Sequence, residues 1–175
     1  PKPLLEEFGP DRVRRTPISE SAIVGMAVGS AMSGLKPVVI LGHVAFAFSA
    51  FDQIVNNIAK MRYMSGGQIR VPLVMRAPVG TTNRGAQHGQ CPESYFIHVP
   101  GIKVVYPSSP ARAYGLLLAA IRDPDPVMFL EPTRLYRLGK EDVDDDGTAL
   151  ALGQCFTLRE GSDLTLVTWG GTVRE

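Results

Sequence analysis

Apolar residues along this chain gather into short runs bounded by Gly or Pro: Pro37–Leu41, Val71–Arg76, Ile102–Tyr106, Val127–Glu131 and Leu164–Trp169. None alternates strictly with polar positions, so the runs read as strands covered on both faces, as in a parallel sheet. Helical spacing fills the intervals. Phe51–Met64 places apolar side chains at 51, 54, 55, 58 and 61, and Pro110–Arg122 repeats the pattern with Tyr114, Leu117, Leu118 and Ile121. Strands alternating with helices predict βαβ units, hence an α/β fold with a parallel sheet flanked by helices. Sheets of this kind bind ligands in the loops at the carboxyl ends of their strands.

Composition narrows the class. The 175 residues are enough for one domain or a little more, with 45% hydrophobic and 20% charged positions, as in an ordinary globular protein. A formal net charge of +1 gives no reason to expect nucleic acid or an anionic membrane surface as a partner. Arg12, Arg14 and Arg15 read as a solvated basic cluster. Cys91 and Cys155 lack CxxC spacing, which argues against a disulfide scaffold or a zinc site and suits a reducing compartment. No apolar run approaches the length of a membrane span. The chain begins at Pro1 without a signal-peptide or transit-peptide composition, so both ends are expected to be cut. A polar, acidic stretch, GKEDVDDDG, marks residues 138–148 as a linker; it lacks the spaced ligands and closing Glu of a calcium loop. Residues 1–137 are then one domain, and residues 149–175 open a second one that the chain does not complete.

Candidate chemistry concentrates in two places. Thr16–Gly34 predicts an apolar helix with Glu20 at its mouth and Gly25, Gly29 and Ser33 in series, so that one face admits another backbone closely. A carboxylate there, with no basic neighbour in sequence, is costly unless it has a task. The loop Gly80–Gly89, GTTNRGAQHG, follows a predicted strand and carries His88, either an acid/base group or a loop histidine bonded to backbone. After the Pro37–Leu41 run comes His43–Phe48, whose phenylalanines are core residues or a flat wall for an aromatic ligand. P-loop, GxSxG, GxGxxG and HExxH signatures are absent.

The Glu20–Gly25–Gly29 series resembles the motif of the pyrimidine-binding domain of thiamine diphosphate enzymes. Longer matches are more specific: SAFDQIVNNIAKMRYMSGG (Ser49–Gly67), QHGQCPESYF (Gln87–Phe96), PGIKVVYPSSP (Pro100–Pro110), GLLLAAIRDPDPVMFLEP (Gly115–Pro132) and LYR (Leu135–Arg137). Together they resemble the β subunit of the first, decarboxylating component of 2-oxo acid dehydrogenase complexes, from about Phe8 onward. FLEPTRLYR resembles the branched-chain enzymes more than the pyruvate ones. The resemblance implies a transketolase-like domain that lacks its first strand and helix. It also implies an α subunit, in an α2β2 heterotetramer, carrying the diphosphate and magnesium motif (GDG followed by Asn) that is missing here. A lipoyl domain of the acyltransferase component would receive the acyl group. The compartment implied is the bacterial cytoplasm or the mitochondrial matrix.

Residue by residue, the resemblance makes Glu20 the glutamate that hydrogen-bonds the aminopyrimidine and promotes the tautomer that deprotonates the thiazolium carbon. A desolvated site is expected to raise its pKa, against the pull of the helix start. Phe46 falls against the pyrimidine, Ile18 and Ser19 flank the cofactor, and His88 falls on the histidine that assists proton or acyl transfer. Leu73, Ala120, Ile121, Asp123 and Asp125 match positions that hold a structural potassium ion in several relatives. There are departures. Where the family carries Glu, an apolar residue, Gln and an aromatic, this chain has Ile40, Leu41, Gly42 and His43, and the apolar residue after the second motif glycine is Ser30. His43 is a candidate to fill the place left by Gln. Two other readings stay open: an acetoin-cleaving or other transketolase-like enzyme subunit, and a non-catalytic assembly domain.

Overall fold

Four parallel strands carry the molecule, in the spatial order β1 (Val38–Ile40), β2 (Val74–Val79), β4 (Val127–Pro132) and β3 (Lys103–Val105). The computed structural model describes residues 2–80, 85–138 and 140–174. Val74 pairs with Val38 on one side and Val127 on the other, and Lys103 also pairs with Val127, so the strand starts are level across the sheet. Helices cover both faces, and the α/β architecture read from the sequence is the one observed.

The unpatterned apolar runs follow from strand position. β2 and β4 are central, with Val74, Met75, Ala77, Val79 and all of Val127–Leu130 buried. Edge strand β1 is not covered on both faces as expected: Val39 is buried, while Val38 and Ile40 are 41% and 57% exposed. β2 also starts at Val74, later than the Val71–Arg76 run. Pro78 is tolerated inside it for a geometric reason. Leu41 N–H donates to the Arg76 carbonyl at 2.9 Å, so Arg76 faces β1. Pro78, two residues on, faces the same side beyond Ile40, where no ladder bond is lost.

Helix α2 (Glu20–Met32) lies on one face and buries Val24, Ala27, Val28 and Ala31 with Leu41, Val44, Ile54 and Ile58. It ends in a paired C-cap: Gly34 N–H donates to the Ala31 carbonyl and Leu35 N–H to that of Ser30, with Gly34 at φ +93°. The expected helix Phe51–Met64 is helical but not regular. Gln53–Ile58 forms a wide turn, with Ala59 N–H donating to the Ile54 carbonyl at 3.0 Å, before α3 (Met61–Met64) resumes. On the other face, α5 (Pro110–Arg122) packs Leu116 and Ala120 against Val105, Val127 and Phe129. Its limits match the expectation, because Ser109 accepts the Arg112 N–H as N-cap and Pro110 fits the first turn.

Two short helices have no periodic signal in the sequence. α1 (Lys2–Arg12) is broken at Gly9 and buries nothing, and α4 (Glu93–Ile97) serves to seat the fully buried Phe96. The expected strand Leu164–Trp169 is absent. The segment is unpaired, with Leu164, Leu166 and Val167 exposed, since no described strand lies beside it to supply a ladder. The acidic stretch is tied to α5 instead of hanging free. Glu141 accepts the Ala111 N–H at 2.9 Å, Asp145 accepts the Tyr114 hydroxyl at 2.6 Å, and Leu150 N–H donates to the Gly115 carbonyl at 3.0 Å.

Candidate active site

At the carboxyl end of β1 the chain passes Leu41 and Gly42 and enters a tight turn, Val44–Ala50, capped by His43. His43 Nδ1 accepts the Ala45 N–H at 3.3 Å. This turn leans on the start of α2. The Ser21 hydroxyl donates to the Ser49 carbonyl, and the Ser49 hydroxyl lies 2.9 Å from the Phe46 carbonyl and 3.4 Å from Glu20 Oε2. Glu20 is therefore held beside the turn that carries Phe46. Ser19 is the N-cap of α2 and makes no side-chain cap bond, so helix capping does not occupy these side chains. Phe46 keeps 38% of its surface exposed, and partly buried Glu20 sits at the same open edge.

The loop after β2 completes the cluster. Gly80 N–H donates to the Gln90 carbonyl at 3.1 Å, closing the loop at its base; residues 81–84 of the predicted glycine-rich segment lie outside the described residues. The turn Gln87–Gly89 brings His88 to 5.5 Å from the Phe46 ring, edge-on at 78°. His43 lies 5.2 Å from His88 and 6.5 Å from Phe46, again edge-on. Burial, then repulsion from His88, pushes the His43 pKa below the usual histidine value. The main-chain carbonyl of His88 offsets this in part without reaching hydrogen-bond geometry with Nε2.

Of the cofactor-flanking candidates, Glu20, Phe46 and His88 converge on one edge. Ile18 is 94% exposed and projects from the α2 start. The five candidate potassium positions also come together, but elsewhere, around the α5–β4 turn. Oxygens of four of them already have partners: the Leu73 carbonyl accepts Val127 N–H, the Ile121 carbonyl accepts Lys36 Nζ at 3.3 Å, and Asp123 accepts Lys103 Nζ at 2.8 Å. Asp125 pairs with Arg62 and Lys103, and Ala120 is buried in α5. Two surface hollows of about 420 and 410 Å³ lie by the strand starts and along β3, lined by Arg62, Lys103 and Asp125 and by Ala119 and Leu152. They are remote from the Glu20–Phe46–His88 edge, which is open.

Sequence reasoning missed several groups here. Ser21, which ties the α2 start to Ser49, carries no motif signal, and Ser49, which reaches Glu20, opens a matching stretch without being singled out. From the middle of β2 to the end of β4, Arg76 Nε donates to Glu131 Oε1 at 2.5 Å, and the Tyr136 hydroxyl donates to Glu131 Oε2 at 2.6 Å. Burial, and donation to Glu131, push the Tyr136 pKa well up. Opposite charges closing two buried apolar runs were the available signal. Near Gly80, Tyr106 and Cys91 each have a pKa raised first by burial. Among the described residues no three His, Cys, Asp or Glu side chains are grouped to hold a metal ion. No described helix is long and apolar enough to cross a membrane.

Comparison with known proteins identifies the domain. Residues 2–139 match the transketolase, pyrimidine binding domain. The chain is 50% identical to 2-oxoisovalerate dehydrogenase subunit beta 2, mitochondrial, of Arabidopsis thaliana, over 95% of this chain and 47% of that protein. It is 47% identical to pyruvate dehydrogenase E1 component subunit beta of Acholeplasma laidlawii, over 98% of this chain and 53% of that one. Thus it spans about half the length of these relatives. A solved structure described as a split gene transketolase, inactive beta4 tetramer, superposes with a TM-score of 0.60 at 21% identity, over 72% of this chain and 38% of that chain. That likeness concerns the fold alone.

Proposed function

The chain belongs to the transketolase pyrimidine-binding domain family, and from that membership we propose that it is the pyrimidine-binding part of a 2-oxo acid dehydrogenase first-component β subunit. The observation that carries the proposal is the convergence of Glu20, Phe46 and His88 on one open edge, with Ser49 bridging Glu20 and the Phe46 turn. The residues fit an aminopyrimidine: a carboxylate for a ring nitrogen, a half-exposed aromatic ring for its face, and no competing cation on the carboxylate among the ion pairs of the described residues.

When bound, thiamine diphosphate would supply a nucleophilic carbon and an electron sink for loss of carbon dioxide from a 2-oxo acid. The chain's own residues do the rest. Glu20 Oε2 keeps its bond from Ser49 while the carboxyl shares a proton with the ring nitrogen. Phe46 presents an apolar wall that excludes water from one face. His88 holds or moves a proton at the reacting edge and assists acyl transfer to a lipoyl group.

The remaining parts of the reading follow. In this reading magnesium and the diphosphate are held by an α subunit, as the family resemblance implies. The assembly is an α2β2 heterotetramer that passes its acyl group to a lipoyl domain. Branched-chain 2-oxo acids are favoured as substrates over pyruvate. Residues 138–148 link to a second domain begun at 149–175, and the compartment is the mitochondrial matrix or the bacterial cytoplasm. The potassium positions Leu73, Ala120, Ile121, Asp123 and Asp125 would take the ion only if Lys36 and Lys103 gave up their present acceptors.

Calorimetric titration of thiamine diphosphate with magnesium tests the proposal in the full β gene product paired with its α subunit. Saturable binding by the pair is expected, with none of comparable strength by the 175-residue piece alone. Micromolar binding by the isolated piece, or none by the pair, would contradict it.

A further inference from the structure

One group at the strand ends has no task in the reaction described above. His43 is 4% exposed, yet its Nε2 makes no hydrogen bond. Its other nitrogen is committed: Nδ1 accepts the Ala45 N–H, which places the proton on Nε2 and caps the turn that carries Phe46. Leaving a buried N–H without an acceptor is unfavourable, and native folds keep few such groups. The imidazole is also the innermost of three rings that meet edge-on, at 5.2 Å from His88 and 6.5 Å from Phe46, with those two 5.5 Å apart.

We propose that His43 is a positioning residue for His88: a buried, neutral imidazole that fixes the His88 ring against Phe46. The inference rests on the reading of His88 as the proton-transfer group and adds a second imidazole that acts through it. Protonating Nδ1 would leave the partly buried Ala45 N–H without its acceptor, so His43 keeps its Nε2–H tautomer while His88 exchanges protons with the site. Burial and the neighbouring His88 both disfavour a charge on His43. His88 is the titratable group in ring contact with it; Glu20 reaches the same turn through Ser49. His43 also stands next to Gly42, beside which an added Cβ would meet nothing within 4 Å. The polar group at this corner therefore comes from His43.

The test uses the full β gene product with its α subunit and the variants His43→Phe, His43→Gln and His43→Ala. The Cε1–H signal of His88, read by NMR with 13C-labelled histidine, reports ring placement without turnover. Steady-state acyl transfer gives kcat and KM separately. His43→Phe should fold and bind thiamine diphosphate within a few-fold of wild type, keep KM, and lose roughly tenfold or more in kcat, the scale of a displaced catalytic group. Its His88 signal should shift and broaden, and His43→Gln should recover part of both effects by keeping a polar N–H. Unchanged kcat and an unchanged His88 signal in folded His43→Ala would overturn the proposal. If His43→Ala does not fold, the same result in both His43→Phe and His43→Gln overturns it. A wild-type complex inactive on every 2-oxo acid would instead refute the proposed function, and the His88 signal would still decide the role of His43.

Discussion

His43 and His88 make different demands on experiment although their rings touch. His43 has a lowered pKa in the folded chain, from burial first and then from His88. Its unfolded form binds a proton near pH 6.5, so its contribution to stability is present above that pH and is lost as acid is added. Wild type should therefore lose urea-unfolding free energy below about pH 6.5 more steeply than His43→Phe. Parallel slopes would show that His43 takes up a proton in the fold as readily as in the unfolded chain. His88→Ala should leave thiamine diphosphate affinity within a few-fold of wild type while acyl transfer to the lipoyl domain drops by roughly a hundredfold or more. Lost affinity with a normal saturated rate would make His88 a cofactor-holding residue instead. Glu20 was legible because a lone carboxylate opens an apolar helix. The His43–His88 contact was not, because the two side chains hang from different strand ends and no sequence spacing connects them.

Elements were legible where local chemistry decides them. Ser109 and Pro110 start α5, and Gly34 stops α2 close to where the pattern ends. They were illegible where a neighbour decides. β1 has the same apolar run as the central strands but lies at the edge, and Leu164–Trp169 has strand composition without a strand to join. The wide turn at Gln53–Ile58 departs from a regular helix with nothing in its apolar spacing to mark it. Two glycines separate these influences. Gly101 has φ +101°, and a Cβ there would sit 2.1 Å from the Ala59 carbonyl oxygen. Gly101→Ala should cost on the order of 3 kcal/mol, read as a lower urea midpoint, and an unchanged midpoint would show that the β3 entry relaxes freely. A Cβ on Gly29 would meet nothing within 4 Å in this chain. Gly29→Leu should therefore leave the urea midpoint alone and reduce assembly with the α subunit in sedimentation. Undiminished assembly would show that this face of α2 is not the contact.

At the scale of the whole molecule, the sheet gathers the candidate residues on one edge. Glu20, Phe46 and His88 stand at the carboxyl ends of β1 and β2 and the start of α2, open to solvent. The parallel sheet was readable from its central strands, and this edge from the family motifs. The measurement closest to the central claim is 2-oxo acid-dependent acyl transfer to a lipoyl domain by the full β gene product with its α subunit, wild type against Glu20→Gln. Wild type should turn over 3-methyl-2-oxobutanoate or pyruvate. Glu20→Gln should assemble and melt like wild type and lose roughly a hundredfold or more of that rate, because an amide cannot share a proton with the pyrimidine ring. Near-normal turnover by the assembled Glu20→Gln complex would contradict the role given to Glu20 and, with it, the site.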